Sequence, residues 1–136
     1  MAAVTGEMSW FCCGNAWGPC AAAGHGACGT CNSGQHQHAW PNTSAACLNI
    51  TRPDLCGLGL TQRGCGFVHF TTNPCSGKRV STSIADCGPN THLFCGERNC
   101  CGSNCGTNRV IDLTASAFSA IADLSNGLRP CTVSTS

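Results

Sequence analysis

Charge is scarce in this chain, since Asp, Glu, Lys and Arg make up 10% of its 136 residues, seven basic against six acidic. So even a balance lacks the broad cationic footprint of a nucleic-acid binder, and nucleic acid is not expected as a partner. No apolar run is long enough to cross a bilayer as a helix, so no membrane partner is expected either. The opening residues, Met1-Ala2-Ala3-Val4-Thr5-Gly6, hold neither a basic n-region nor an apolar stretch. Any secretion signal is therefore expected to have been removed or to lie outside this sequence. No repeat of solenoid length is found, although Cys-Cys-Gly occurs at Cys12 and again at Cys100. With so few carboxylates, each one near a glycine or a strand end is a large share of the available acid-base chemistry, which singles out Asp86 and Asp112.

Cysteine is what the chain has in excess: fifteen residues, about 11%, a density that belongs to small extracellular scaffolds. An oxidising, extracellular setting follows, and one domain spanning residues 1–136 is expected from the length. The count is odd. Seven bridges leave one thiol free, capped or joined to a second chain. Asn42-Thr43-Ser44 and Asn49-Ile50-Thr51 both fit the N-glycosylation pattern. Cys28 and Cys31 with His36 and His38 have the residue types of a zinc site. The His-x-His spacing is poor for one, and among so many cysteines disulfides are the default, so neither a metal nor another cofactor is expected.

From Cys12 to about Gly64 the sequence is rich in Cys, Gly, Asn, Ser and Ala without sustained periodicity. Little regular structure is expected there, and residues 20–64 read as a disulfide-pinned loop insertion. Before it, Gly6 to Phe11 alternates as a half-buried strand would. After it, Gly66 to Thr72 is β-rich, Asn73-Pro74-Cys75-Ser76-Gly77 is turn chemistry, and Lys78 to Asp86 alternates again, which predicts a hairpin. Arg109 to Asp112 reads as a short strand. A helix capped by Thr114 follows, with Ala117, Phe118, Ile121 and Leu124 at helical spacing and Asn126-Gly127 as its stop. Leu128 to Val133 is the last strand.

This order resembles the six-stranded double-psi β-barrel of the expansin, loosenin and rare-lipoprotein-A (barwin-like) group. The residues that carry the likeness are Ile84-Ala85-Asp86-Cys87-Gly88-Pro89, Val110-Ile111-Asp112-Leu113-Thr114 with the following Ala/Phe helix, and Gly6-Glu7-Met8-Ser9-Trp10-Phe11. The likeness covers roughly Cys65 to the end plus Gly6 to Phe11. It implies an all-β fold with one short helix, and a polysaccharide groove where Asp86 and Asp112 face each other with the Ser9 hydroxyl. A carboxylate bonded by a hydroxyl can grip sugar hydroxyls or stabilise positive charge at a strained glycosidic carbon. The ordinary alternatives stand beside this: Asp112 as a helix cap and Asp86 as a turn residue. Trp17 and Trp40 lie in loop-like sequence and are candidate faces for sugar stacking, whereas Trp10 reads as core.

The resemblance points first to a secreted module that binds and loosens cell-wall polysaccharide, such as cellulose, chitin or peptidoglycan, without hydrolysis. Two other classes stay open: a polysaccharide-cleaving enzyme, endoglucanase or lytic transglycosylase, and a disulfide-linked barwin-like inhibitor or matrix protein. Trp10-Phe11-Cys12-Cys13 resembles the aromatic-Asp-Cys-Cys opening of family 45 glycoside hydrolases, but Phe11 stands where that family keeps its basic aspartate. Phenylalanine cannot activate water, which argues against an inverting hydrolase. A transglycosylase that needs one acid could still use Asp86 or Asp112.

Overall fold

A computed structural model describes residues 4–41, 43–44, 54–55, 58–59, 61–88 and 109–136. Its strands are β1 (Val4–Phe11), β2 (Gln37–Trp40), β3 (Thr43–Ser44), β4 (Asp54–Leu55), β5 (Leu58–Gly59), β6 (Arg63–Gly64), β7 (Val68–Asn73), β8 (Lys78–Cys87), β9 (Arg109–Thr114) and β10 (Arg129–Ser134). Six of them close into a barrel in the order β1-β10-β7-β8-β2-β9, and β3-β6 and β4-β5 form two small ribbons. The barrel is all-β apart from helix α1 (Ala115–Ser119) and a 3-10 turn at Leu124–Asn126, as the sequence predicts.

The hairpin lies where its turn chemistry places it: β7 and β8 pair antiparallel from Val68↔Ser83 to Asn73↔Lys78. Two other neighbours are parallel, β1 with β9 and β2 with β8, and parallel pairs need long crossovers rather than tight turns. The crossover from β1 to β2 is the disulfide-rich loop. Within it Cys12 joins Cys20 and Cys13 joins Cys31, while Cys28 reaches Cys65 just ahead of β7. Cys75 and Cys87 are disulfide-bonded as well.

The segment expected to be unstructured therefore contains a barrel strand. Residues 37–40 form β2, which lies between β8 and β9, so the 20–64 region is not wholly an insertion. The four residues are too few to show periodicity, and one inward position is a histidine rather than an apolar residue. Polarity is also inverted on β7, where His69, Thr71 and Asn73 are buried and Val68 is 43% exposed. Asn73 is satisfied by donating from Nδ2 to the Ile121 carbonyl at 2.8 Å. The Thr71 hydroxyl is buried and has no partner among the described residues. Thr71→Val, which removes the hydroxyl at nearly constant shape, is expected to raise stability by about 1 kcal/mol in denaturant melts.

The helix is shorter than its apolar spacing predicts, and Thr114 does not cap it through its side chain. Its hydroxyl instead donates to the Gln35 carbonyl at 2.6 Å and accepts from the Gln37 N–H at 3.2 Å, which fastens the approach to β2. Continuation past Ser119 is opposed by local competition for backbone groups. Asn73 and Ser76 both donate to the Ile121 carbonyl, and the Asp123 carboxylate accepts from the Ser125 N–H at 3.0 Å. Phe118 and Ile121 still enter the core at 0% and 1% exposure. Cys131 is buried there as well, at 1%. A cysteine linking to a second chain would have to come from elsewhere, and Cys47, Cys56, Cys95, Cys100, Cys101 and Cys105 lie outside the described residues, as do Asn42 and Asn49.

Candidate functional site

Strand register brings the predicted site residues into one row. Ser9 on β1 pairs with Asp112 on β9, Asp112 pairs with Ala39 on β2, and Ala39 pairs with Asp86 on β8. At ordinary strand spacing the two aspartates are two strands, roughly 10 Å, apart at Cα. Ala39, 2% exposed, lies between them and adds almost no bulk.

Asp112 is half-buried and its Oδ1 accepts from the Ser9 hydroxyl at 3.1 Å. Asp112 lies two residues ahead of Thr114, the N-cap of the short helix. Asp86 is held differently. Its Oδ1 accepts from the Ala27 and Cys87 backbone N–H groups, each at 2.8 Å, which anchors the disulfide loop over the end of β8. Both bonds fall on Oδ1. Gly26 makes this approach possible: its φ is +71°, and a Cβ there would meet the Ala85 carbonyl oxygen at 2.8 Å and Asp86 Cγ at 3.2 Å. Gly26→Ala is thus expected to displace the loop from Asp86 and to cost about 1–3 kcal/mol, read as a lowered melting temperature.

Phe11 is half-buried and packs on Cys13, Cys31 and Ala85, so a hydrocarbon ring lies beside the residue preceding Asp86. Trp17 is half-buried in the loop closed by Cys12 and Cys20, its ring alongside Gly34. Trp10 is packed against the core with its indole N–H on the Leu124 carbonyl at 3.0 Å. Trp40 corrects the expectation of a sugar platform: it is 1% exposed, stacks on His69 at 4.2 Å, and donates from Nε1 to the Thr61 carbonyl at 2.9 Å. A ring so enclosed has no face for a pyranose. The zinc pattern is dissolved as well, since Cys28 and Cys31 are in disulfides, His36 is exposed and His38 is buried.

The sequence reading missed the polar chain inside the barrel. His38 Nε2 and His69 Nδ1 are 3.0 Å apart, His38 Nδ1 is 2.7 Å from Thr82 Oγ1, and His69 Nε2 is 3.1 Å from Arg63 Nη1. Burial, then the neighbouring His69, holds the His38 imidazole well below its usual range; burial, then Arg63, pushes His69 down to about 4. The available signal was the i, i+2 set His69, Thr71, Asn73, which marks one polar face of a strand.

The fold is that of the expansin and barwin-like group, the double-psi β-barrel. The solved structures similar to this chain include a Streptomyces papain inhibitor, at 19% identity and a TM-score of 0.53, covering 97% of this chain and 92% of that one. The expansin of Clavibacter michiganensis is similar too, both without ligand and as a mutant in complex with cellohexaose. Each of these has 18% identity, a TM-score of 0.54 and 99% coverage of this chain. This chain spans half the length of the expansin chains. No protein-family profile and no curated protein sequence matches it.

Proposed function

We propose that this protein is an extracellular module that holds a cell-wall polysaccharide along the Ser9, Asp112, Ala39, Asp86 row without hydrolysing it. The observation that carries the reading is the register of that row, with Asp112 oriented by the Ser9 hydroxyl. A carboxylate so held accepts hydrogen bonds from sugar hydroxyls and loses little conformational freedom on binding. The complex of an expansin of this fold with cellohexaose supports a glucan as ligand. Phe11 supports binding over cleavage, because it offers no group to activate water.

The test is a pull-down on cellulose, chitin and peptidoglycan with released reducing ends and anhydro-sugars assayed in the same tubes. Retention without release is expected. Asp112→Asn should weaken retention about tenfold, the loss of one charge-assisted hydrogen bond, and Ser9→Ala should weaken it less. Steady release of product, abolished in Asp112→Asn, would establish an enzyme instead. A second reading is favoured by the match to a papain inhibitor over 92% of that chain: the stapled loops would occupy a cysteine protease cleft. Inhibition of papain, with no retention on any polysaccharide, would decide for it.

A further inference from the structure

The hydrogen-bond chain in the barrel has only one consistent arrangement of protons. Arg63 donates and cannot accept, so the His69 Nε2 that faces it at 3.1 Å must be bare. A neutral His69 then carries its proton on Nδ1 and donates to His38 Nε2 at 3.0 Å. His38 in turn carries its proton on Nδ1 and donates to the Thr82 hydroxyl at 2.7 Å. The opposite tautomer of either ring sets two donors against each other. So does an imidazolium, which at His69 also faces the guanidinium charge.

We propose that Arg63, His69, His38 and Thr82 form a one-way brace that ties β2 to β7 and β8 only while both imidazoles are neutral, and that acid therefore loosens the row carrying Asp112 and Asp86. The coupling is positional: His38 immediately precedes Ala39, the residue that pairs with both aspartates, and the β2 register against β8 shifts between His38 and Ala39. Around the rings, Trp40 stacks on His69 and Phe67 tilts against it at 5.1 Å. Leu113 of β9 and Ile84 of β8 are paired with His38. Among the described residues no carboxylate hydrogen-bonds to either imidazole, so an added proton finds no counter-charge there.

The sign follows from linkage. An imidazole in the unfolded chain takes up a proton near pH 6.5, whereas folded His69 does so near 4. The unfolded state binds protons first, and stability present above pH 6.5 is lost progressively as pH falls towards 4.

Nitrogen NMR of the histidine-labelled whole chain tests the brace without any ligand. At pH 6.5 both buried rings are expected to be neutral with the proton on Nδ1; an Nε2–H tautomer in either ring, or an imidazolium, overturns the proposal. Between pH 6.5 and 4 the Ala39 and Trp40 amides are expected to lose hydrogen-exchange protection ahead of the β7–β8 amides; unchanged relative protection overturns it. The link to the site rests on the polysaccharide reading and is tested separately with cellohexaose. To separate the brace from any other effect of acid on binding, wild type is compared with His69→Gln, whose amide can accept from Arg63 and donate to His38 but cannot titrate. Wild-type affinity should fall at least tenfold from pH 6.5 to 4 and the variant's clearly less; equal losses overturn the coupling. Absence of cellohexaose binding at any pH overturns the polysaccharide reading and leaves the tautomer result to decide the brace.

Discussion

Full reduction is expected to unfold this protein at room temperature, with loss of the near-ultraviolet spectrum and of the cooperative melting transition. The three bridges Cys12–Cys20, Cys13–Cys31 and Cys28–Cys65 close loops with sequence separations of 8, 18 and 37. In the chain-entropy account such loops are worth about 2.5, 3 and 4 kcal/mol, together roughly 9 to 10. That equals or exceeds the whole stability of many domains, about 5–15 kcal/mol. Cys75 and Cys87 add further crosslinks. The bridges also do local work: Cys28 donates its N–H to the Ala85 carbonyl at 3.2 Å and so docks the loop that covers Asp86. Retention of the native spectrum and transition by the fully reduced chain would show that the barrel core suffices and that this ledger is wrong.

Some parts of this fold can be read from residues and others cannot. The β7–β8 hairpin was legible because Asn73-Pro74-Cys75-Ser76-Gly77 is turn chemistry between two β-rich runs, and local signals decide a local structure. The β9 strand was legible from Val110-Ile111, and the cysteines announced a stapled chain. β2 was not legible. Its identity depends on parallel pairing with β8 and antiparallel pairing with β9, both distant in sequence, and Gln37-His38-Ala39-Trp40 carries too short a pattern to reveal it. The candidate row inherits that difficulty. Ser9, Asp112 and Asp86 were each singled out by family motif, yet what sets them side by side is Ala39, for which no residue-level argument existed. The internal histidines were hidden for a related reason: on β7 the apolar residues Val68 and Phe70 point outwards, while His69, Thr71 and Asn73 are buried, His69 bonded to His38 and Arg63 and Asn73 to the Ile121 carbonyl. A pattern rule that sends hydrophobic residues inwards assigns the wrong face wherever a buried hydrogen-bond network takes their place.

Trp40→Ala and Trp17→Ala are expected to fail in opposite ways, and the contrast separates packing from recognition. Trp40 is among the largest fully buried side chains, 1% exposed, and its ring bridges the core and the histidine chain through His69. Removing it leaves a cavity and strips one face of His69, at a cost of about 3–5 kcal/mol. That corresponds to a drop in melting temperature on the order of 10–20 °C. Because the indole N–H on Thr61 also ties the segment before β6, Trp40→Phe should recover most of the packing while losing the hydrogen bond, about 1 kcal/mol. Trp17, by contrast, is half-buried in a loop already fixed by Cys12–Cys20. Its truncation should leave the melting temperature within a few degrees and weaken retention on polysaccharide, since a partly open indole can still stack on a sugar ring. Thermal melts and pull-downs on the same preparations read both outcomes. A Trp40→Ala protein that melts like wild type would contradict the buried position of that ring, and a Trp17→Ala protein with undiminished retention would remove the loop from the binding surface and leave the Ser9 to Asp86 row to account for it alone.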